Sequence, residues 1–345
     1  MRNVIGQRRL LEKLGEQAIK GDVAQAYEFS GPRSIGKHTV ALRLAQTLNC
    51  VSEPRIAGGC GTCLSCRKIE NGTHPDVLTV TRLTELEKRN DMKNITIEQI
   101  RDMQRDFALR PLEGRRRIVI IDDAADLHEH AETALLKTLE EPPSHGVLLL
   151  VTPTPSRLKE TIRSRLQPLP FHPVPRAEIE AAVTKRFGPA AAKFAAIAAG
   201  LPGVAMTLAS DEAARSSRAA LEREFYTLVA SKLTERFAWA ADLAESERDT
   251  QKRNEQISSR LVAWGELVRD AAVADAGVTD RAMRPERSMQ SEKLATTVPV
   301  RDLVDLAQSF ERWRRDVDET TVSARMLLEL LALRVPHRPE LAVSA

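Results

Sequence analysis

The sequence predicts an α/β domain followed by an all-α remainder, and three observations carry that expectation. Short apolar runs alternate with stretches of helical periodicity up to about residue 170, the pattern of βαβ units. Two of these runs, Ile118-Val119-Ile120-Ile121 and Val147-Leu148-Leu149-Leu150-Val151, are apolar at consecutive positions, as strands covered on both faces of a parallel sheet must be. Beyond Phe171 strand signals stop, and segments rich in Ala, Leu, Glu and Arg take over, with apolar residues three and four positions apart.

Four strand candidates follow in order: Ala26–Ser30, Asp76–Val80, Arg117–Asp122 and Val147–Thr152, each trailed by turn residues or a helix start. Pro173 and Pro175 close the sheet pattern. The piece Ala177–Ala209 reads as a small helical domain broken at Gly188-Pro189 and at Gly200-Leu201-Pro202-Gly203. From about Asp211 on, segments such as LEREFYTLVASKL and ARMLLELLALRV predict a helical bundle. The stretch Ala276–Thr297 is poor in apolar residues and is expected to be a mobile loop between helices. The expected domains are therefore residues 1–172, 173–210 and 211–345, with no internal repeat.

Composition narrows the function classes. No apolar run approaches the ~20 residues needed to cross a bilayer, and the N-terminal MRNVIGQRRLLEKL lacks the continuous apolar stretch of a secretory signal. A cytoplasmic protein is expected. The net charge of +3, from 51 basic and 48 acidic side chains, is too small to argue for nucleic acid by itself. Aromatic residues make up 4%, which leaves few platforms for stacking bases, so any contact with DNA is expected to be shared with partners.

The stretch Gly31-Pro32-Arg33-Ser34-Ile35-Gly36-Lys37 follows a strand and precedes the helical HTVALRLAQTL. In that context it reads as a phosphate-binding loop, because loop amides and a helix N-terminus point at a bound anion. A glycine-rich turn with a surface lysine is the plainer alternative. The loop is poorly equipped for magnesium. His38 stands where a hydroxyl normally holds the ion, and magnesium prefers oxygen ligands. Thr39, one residue further along a helix, would point about 100° away. Ser34 adds a side chain where the backbone must approach phosphate closely.

At the end of the run Ile118–Ile121, Asp122 is where such folds hold magnesium, and Asp123 is where a glutamate commonly orients the attacking water. The Asp123 carboxylate is one methylene short, and a displacement of about 1 Å can cost ~100-fold in rate. An acid pair that merely ends a strand and caps a helix is the alternative. Together these positions predict at most weak ATP binding, through Lys37 and the loop amides, with magnesium poorly held.

All four cysteines, Cys50, Cys60, Cys63 and Cys66, fall in one stretch. In a reducing compartment that clustering reads as a metal site in preference to two disulfides. The C-x2-C-x2-C spacing also resembles part of an iron–sulfur run, but Cys50 lies upstream where that pattern has its fourth ligand downstream. Tetrahedral zinc fits better, and four thiolates would make the site structural.

Taken in order, VIGQ (Val4–Gln7), AYEFSGPRSIGK, LNC with three further cysteines, HPDV (His74–Val77), IIDDAADL, ALLKTLEEPP (Ala134–Pro143) and TIRSRLQPLPF (Thr161–Phe171) resemble the bacterial clamp-loader family of the AAA+ class. The likeness is nearest to the delta-prime branch of the DNA polymerase III loaders. It covers about the first 170 residues, and the helical remainder matches only in layout.

The resemblance implies an AAA+ domain with a zinc insertion, a helical lid and a helical collar. It also implies a hetero-pentameric ring with tau/gamma and delta subunits, in which ATP bound at subunit interfaces drives the loading of a sliding clamp onto primed DNA. The family's Ser-Arg-Cys motif lends an arginine to a neighbour's ATP site. Here it reads Ser164-Arg165-Leu166, so the cysteine is gone and the arginine stays.

The lid motif Gly200-Leu201-Pro202-Gly203-Val204-Ala205 carries no sensing arginine, and Thr152 takes the place of the core's polar sensor. The expectation is a non-hydrolysing delta-prime-type subunit whose Arg165 serves an adjacent ATPase. The rival readings are a hydrolysing tau/gamma-type subunit and a zinc-dependent DNA-binding protein.

Overall fold

The computed structural model describes residues 4–82, 94–153, 155–247, 250–275, 289–319 and 322–341. They belong to two units, Met1–Ile179 with Gly200–Gly203 and Glu180–Ala199 with Val204–Ala345.

The first unit is built on five parallel strands, β1 (Ala26–Ser30), β2 (Val77–Val80), β3 (Arg117–Ile121), β4 (Gly146–Thr152) and β5 (Gln167–Pro170), in the order β2-β3-β4-β1-β5. Every residue of β1, β3 and β4 is buried, which is why β3 and β4 read as near-continuous apolar runs, while β1 buries Glu28 and Ser30 as well. Asp76 and Asp122 flank their strands instead of lying in them.

The fifth strand is additional to the four candidates. It is short and largely exposed, and it contains Pro168 and Pro170, which a sheet tolerates at its outer strand.

Among the described residues, six helices accompany the sheet: α1 (Arg8–Lys20), α2 (Lys37–Asn49), α3 (Leu64–Glu70), α4 (Ile97–Ala108), α5 (Glu129–Glu140) and α6 (Glu160–Arg163). Helix α4 starts from a capping box, with the Thr96 hydroxyl accepting from the Gln99 amide and the Gln99 side chain accepting from the Thr96 amide. Its Ile100, Met103 and Phe107 join Leu135 and Leu139 of α5, Ile162 of α6 and Leu166 in one core against Val119, Ile121, Leu148 and Leu150 of the sheet.

The register sets Ser30 level with Thr152 and Ile121 level with Leu150. The loops after β1 and β3 therefore open at the same carboxyl edge with β4 between them, where α/β sheets of this kind hold ligands.

The second unit is helical. It contains α8 (Lys193–Ile197), reached through α7 (Arg176–Phe187), and continues through α9 (Pro202–Ser210), α10 (Glu212–Ala230), α11 (Leu233–Glu245), α12 (Thr250–Asp275), α13 (Met289–Thr297), α14 (Val300–Glu319) and α15 (Ala324–Arg334). Trp264 lies fully buried among Phe225, Leu267, Leu303, Phe310 and Leu328, and its indole N–H donates to the Leu221 carbonyl at 2.7 Å.

The loop expected over Ala276–Thr297 needs correcting. Residues 276–288 lie outside the described residues, but Met289–Thr297 is a helix, α13, that delivers Leu294 and Ala295 to the core. A few well-placed apolar residues suffice for burial, and the average composition of the stretch hides them. On α15, Met326, Leu330 and Leu333 are exposed at helical spacing, leaving an apolar stripe on the surface of this unit. Among the described residues, no helix is long and apolar enough to cross a membrane.

Candidate functional site

The phosphate loop runs from the end of β1 to the start of α2. Gly31 sits at φ +143°, and a Cβ there would stand 2.6 Å from the Phe171 carbonyl oxygen, so only glycine fits. Its amide donates to the Thr152 carbonyl at 3.3 Å, which ties the loop to the end of β4. Gly36 leads into α2, whose first turn carries Lys37, His38 and Thr39.

Lys37 is buried. Its ammonium donates to the carbonyls of Gly31, at 2.5 Å, and Pro32, at 2.8 Å. Burial, reinforced by the nearby Arg33 charge, brings its pKa down to about 8. Ser34 adopts a positive φ of 61°, and its carbonyl accepts from the Gly203 amide at 2.8 Å. A Cβ on Gly203 would lie 2.8 Å from that same oxygen, so glycine is what lets Gly200–Gly203, which belongs to this same unit, rest on the loop.

The acid pair faces the loop. Asp122 follows β3 and its amide donates to Val80, while Asp123 holds a left-handed backbone at φ 53°. Each carboxylate has its own basic partner. His38 Nδ1 stands 2.9 Å from Asp122 Oδ2, and Arg33 Nη1 stands 3.3 Å from Asp123 Oδ1. Burial by itself would raise the Asp122 pKa, but the hydrogen bond and charge of His38, with the Asp123 amide and the Lys37 charge, hold it below the ordinary carboxylate value. These residues do not fit magnesium: an imidazole replaces the oxygen ligand, and both carboxylates are engaged by side chains from the loop. Thr39 lies half-buried in the same turn.

Arg165 lies elsewhere. It follows α6 and precedes β5, whose first residue, Gln167, is level with Tyr27 at the start of β1. Arg165 thus leaves the sheet at its amino edge, while the phosphate loop opens at the carboxyl edge, about 13 Å away for a four-residue strand. The burial of Leu166 turns the neighbouring arginine outward. The guanidinium donates to the Thr161 carbonyl at 2.7 Å and to Glu140 Oε1 at 2.8 Å.

The four thiols form a second, separate site. All are free, Cys50 and Cys66 are buried, and the sulfurs of Cys50, Cys60, Cys63 and Cys66 lie within 4.8 Å of one another. Four thiolates about 2.3 Å from a central zinc would be separated by about 3.8 Å, so the set can close on a tetrahedral ion with small shifts.

Backbone and hydroxyl donors surround the sulfurs: Ser52 and the amides of Thr62 and Cys63 reach Cys60, and the Cys66 amide reaches Cys63. The Ser52 and Thr62 hydroxyls, followed by these amides, bring the Cys60 thiol down to about 5, which favours the thiolate a metal requires. The cluster is fastened to α2 by Gln46, which donates to the Cys66 carbonyl at 2.9 Å. Thr47, accepting from Gly58 at 2.7 Å, and Arg43, paired with Glu70 at 2.6 Å, complete the attachment.

Every expected residue except Arg165 and the cysteines therefore gathers at one edge of the sheet. Two contributors escaped the sequence reading. Arg33 occupies an unspecified position of the loop pattern, and its only sequence signal is a positive charge in a segment that faces two acids. Glu140 belongs to the quoted ALLKTLEEPP motif without any sign of its partner.

Comparison with known proteins agrees with this architecture. Residues 6–175 match the family model for the DNA polymerase III delta subunit. The chain is 35% identical to the DNA polymerase III subunit delta' of Bacillus subtilis over 177 residues, 50% of this chain and 50% of that protein. It is 38% identical to the delta' subunit of Pseudomonas aeruginosa over 159 residues, 46% and 45% of the two chains. It is also 38% identical to the tau subunit of Salmonella typhimurium over 171 residues, 49% of this chain and 25% of that one. The matched stretch thus spans half or less of each relative, and it is the sheet-bearing unit that is shared. Over residues 6–175 the chain thus carries the sheet-bearing unit of the bacterial clamp-loader AAA+ proteins.

Proposed function

We propose that the chain is a delta-prime-type subunit of a cytoplasmic DNA polymerase III clamp loader, one that does not hydrolyse ATP itself and lends Arg165 to the ATP site of a neighbouring subunit. Its partners in this reading are tau/gamma and delta subunits in a hetero-pentameric ring that places a sliding clamp on primed DNA. Residues 173–210 serve as the lid and 211–345 as the collar, where the apolar stripe Met326-Leu330-Leu333 offers a face to a neighbour. Zinc holds Cys50, Cys60, Cys63 and Cys66 together and plays no chemical part.

The observation that carries the reading is the placement of Arg165 at the amino edge of the sheet, turned away from its own phosphate loop. A guanidinium there can meet a transferring phosphoryl group only if another chain supplies it. The poor fit of His38, Asp122 and Asp123 to magnesium supports the other half of the reading.

The test is reconstitution of the loader with its tau/gamma and delta partners, clamp and primed DNA, followed by DNA-stimulated ATP turnover. With Arg165→Ala, turnover is expected to drop by about tenfold or more. Unchanged turnover would remove the role given to Arg165. Hydrolysis by the isolated chain at ~1 per second, abolished by Lys37→Ala, would return the motor reading.

A further inference from the structure

We infer that Arg33 and His38 occupy the Asp122–Asp123 pair in place of a divalent cation, and that they, more than the missing hydroxyl alone, keep metal out of this site. The two side chains come from the phosphate loop and the first turn of α2, and each reaches one acid, at 3.3 Å for Arg33–Asp123 and 2.9 Å for His38–Asp122. Arg33 is charged at every accessible pH, so the Asp123 contact does not depend on a proton.

A magnesium-type ion would need carboxylate oxygens about 2.1 Å away in an octahedral shell of oxygens. Its arrival would therefore have to displace the imidazole from Asp122 and the guanidinium from Asp123, and it would meet the positive charge of Arg33 close by. The same segment is also tied down on its other faces. Lys37 is held by the Gly31 and Pro32 carbonyls, and the Ser34 carbonyl receives the Gly203 amide. Loop and acid pair are thus joined by protein charges alone, the joint that a bridging ion makes in a hydrolysing site. This inference stands on the loop geometry and is independent of the part played by Arg165.

The experiment uses the zinc-loaded full chain and Mn2+ as probe, with free ion counted by electron paramagnetic resonance. The unaltered chain and Asp122→Asn are expected to bind Mn2+ indistinguishably. Arg33→Ala/His38→Thr is expected to gain a site with affinity higher by about tenfold or more, since the Arg33 charge is gone, both carboxylates are freed and a hydroxyl stands where the imidazole was. Adding Asp122→Asn should erase that gain, and His38→Thr alone should fall well short of the double change.

Binding by the unaltered chain that Asp122→Asn removes would overturn the inference. So would a folded double variant that gains nothing, or a His38→Thr that gains as much as the double. If thermal melting shows the double variant unfolded, Arg33→Gln is read by the same criteria.

Discussion

Arg165 and Glu140 are joined at the surface, with guanidinium Nη2 donating to carboxylate Oε1 at 2.8 Å and both side chains more than a third exposed. Exposed pairs of this kind contribute little to stability, typically 0.2 to about 1 kcal/mol. Arg165→Ala is therefore expected to shift the urea unfolding free energy by no more than about 0.5–1 kcal/mol, however large its effect in the reconstituted loader. A loss above about 2 kcal/mol would mean that the residue is structural.

Asp76 presents the opposite case. Its buried carboxylate accepts from the amides of Leu112, Glu113 and Gly114 at 2.7, 2.8 and 2.6 Å and pairs with Arg117 at 3.2 Å. Burial pushes its pKa up, but the three amides more than offset this, so it lies below the ordinary carboxylate value. Asp76→Ala leaves Arg117 buried without its carboxylate, and about 3–5 kcal/mol of stability should be lost, read as a lower urea midpoint at unchanged slope.

His74 sets a pH dependence. Its Nδ1 accepts from the Asp76 amide at 3.1 Å, and its Nε2 faces the Ser65 hydroxyl, which itself donates to the Asn49 carbonyl. The ring is therefore neutral, with its proton on Nε2. Burial lowers its pKa from 6.5. The unfolded chain then takes up a proton before the folded one does, so this contribution is intact above about pH 6.5 and drains away as pH falls below it. The unfolding free energy should decline between about pH 7 and pH 5, with a smaller decline in His74→Gln. Equal slopes in the two proteins would place the dependence elsewhere.

Arg236 closes the ends of two helices in the second unit. Buried, it donates to the carbonyls of Val229 and Ser231 at the end of α10 and of Ala332, Val335 and Pro336 at the end of α15. These carbonyls have no partner within their own helices, and a cation there also suits the helix dipoles. Arg236→Met should cost about 3–5 kcal/mol, and Arg236→Lys should recover little of it because an ammonium cannot fork between two helix ends.

The thiol cluster should carry one zinc per chain by elemental analysis, and Cys66→Ser should abolish it. A chelator strong enough to strip the metal should lower the melting temperature and expose the segment between Cys50 and Cys66 to protease. The sheet should survive, because the core that Val119, Ile121, Leu148 and Leu150 form with α4 and α5 contains no residue of that segment. A chain that is folded, metal-free and as stable as the loaded one would exclude a structural zinc.

What could be read from the sequence depended on how local the cause was. Strands β3 and β4 were legible because burial on both faces forces apolar residues into consecutive positions, β1 because it leads into the glycine-rich loop, and the thiol cluster because all its members are close along the chain. Strand β5 escaped since four residues with two prolines carry almost no strand signal. Asp76 stood in a quoted motif without a role, because the amides it receives arrive from residues 112–114 only once the sheet has formed. The Arg33–Asp123 contact joins positions 90 residues apart, and no local pattern encodes it.

The two prolines of β5 have a further effect. Successive residues of a strand send their amides to opposite sides, and Phe171 donates inward to the Ser30 carbonyl at 2.7 Å. Pro168 and Pro170 therefore occupy the positions whose N–H groups would point outward, and proline has none. A stray strand arriving at that margin finds no donors to zip against. The molecule is guarded there against templated aggregation during synthesis and assembly by the same residues that made the strand hard to recognise.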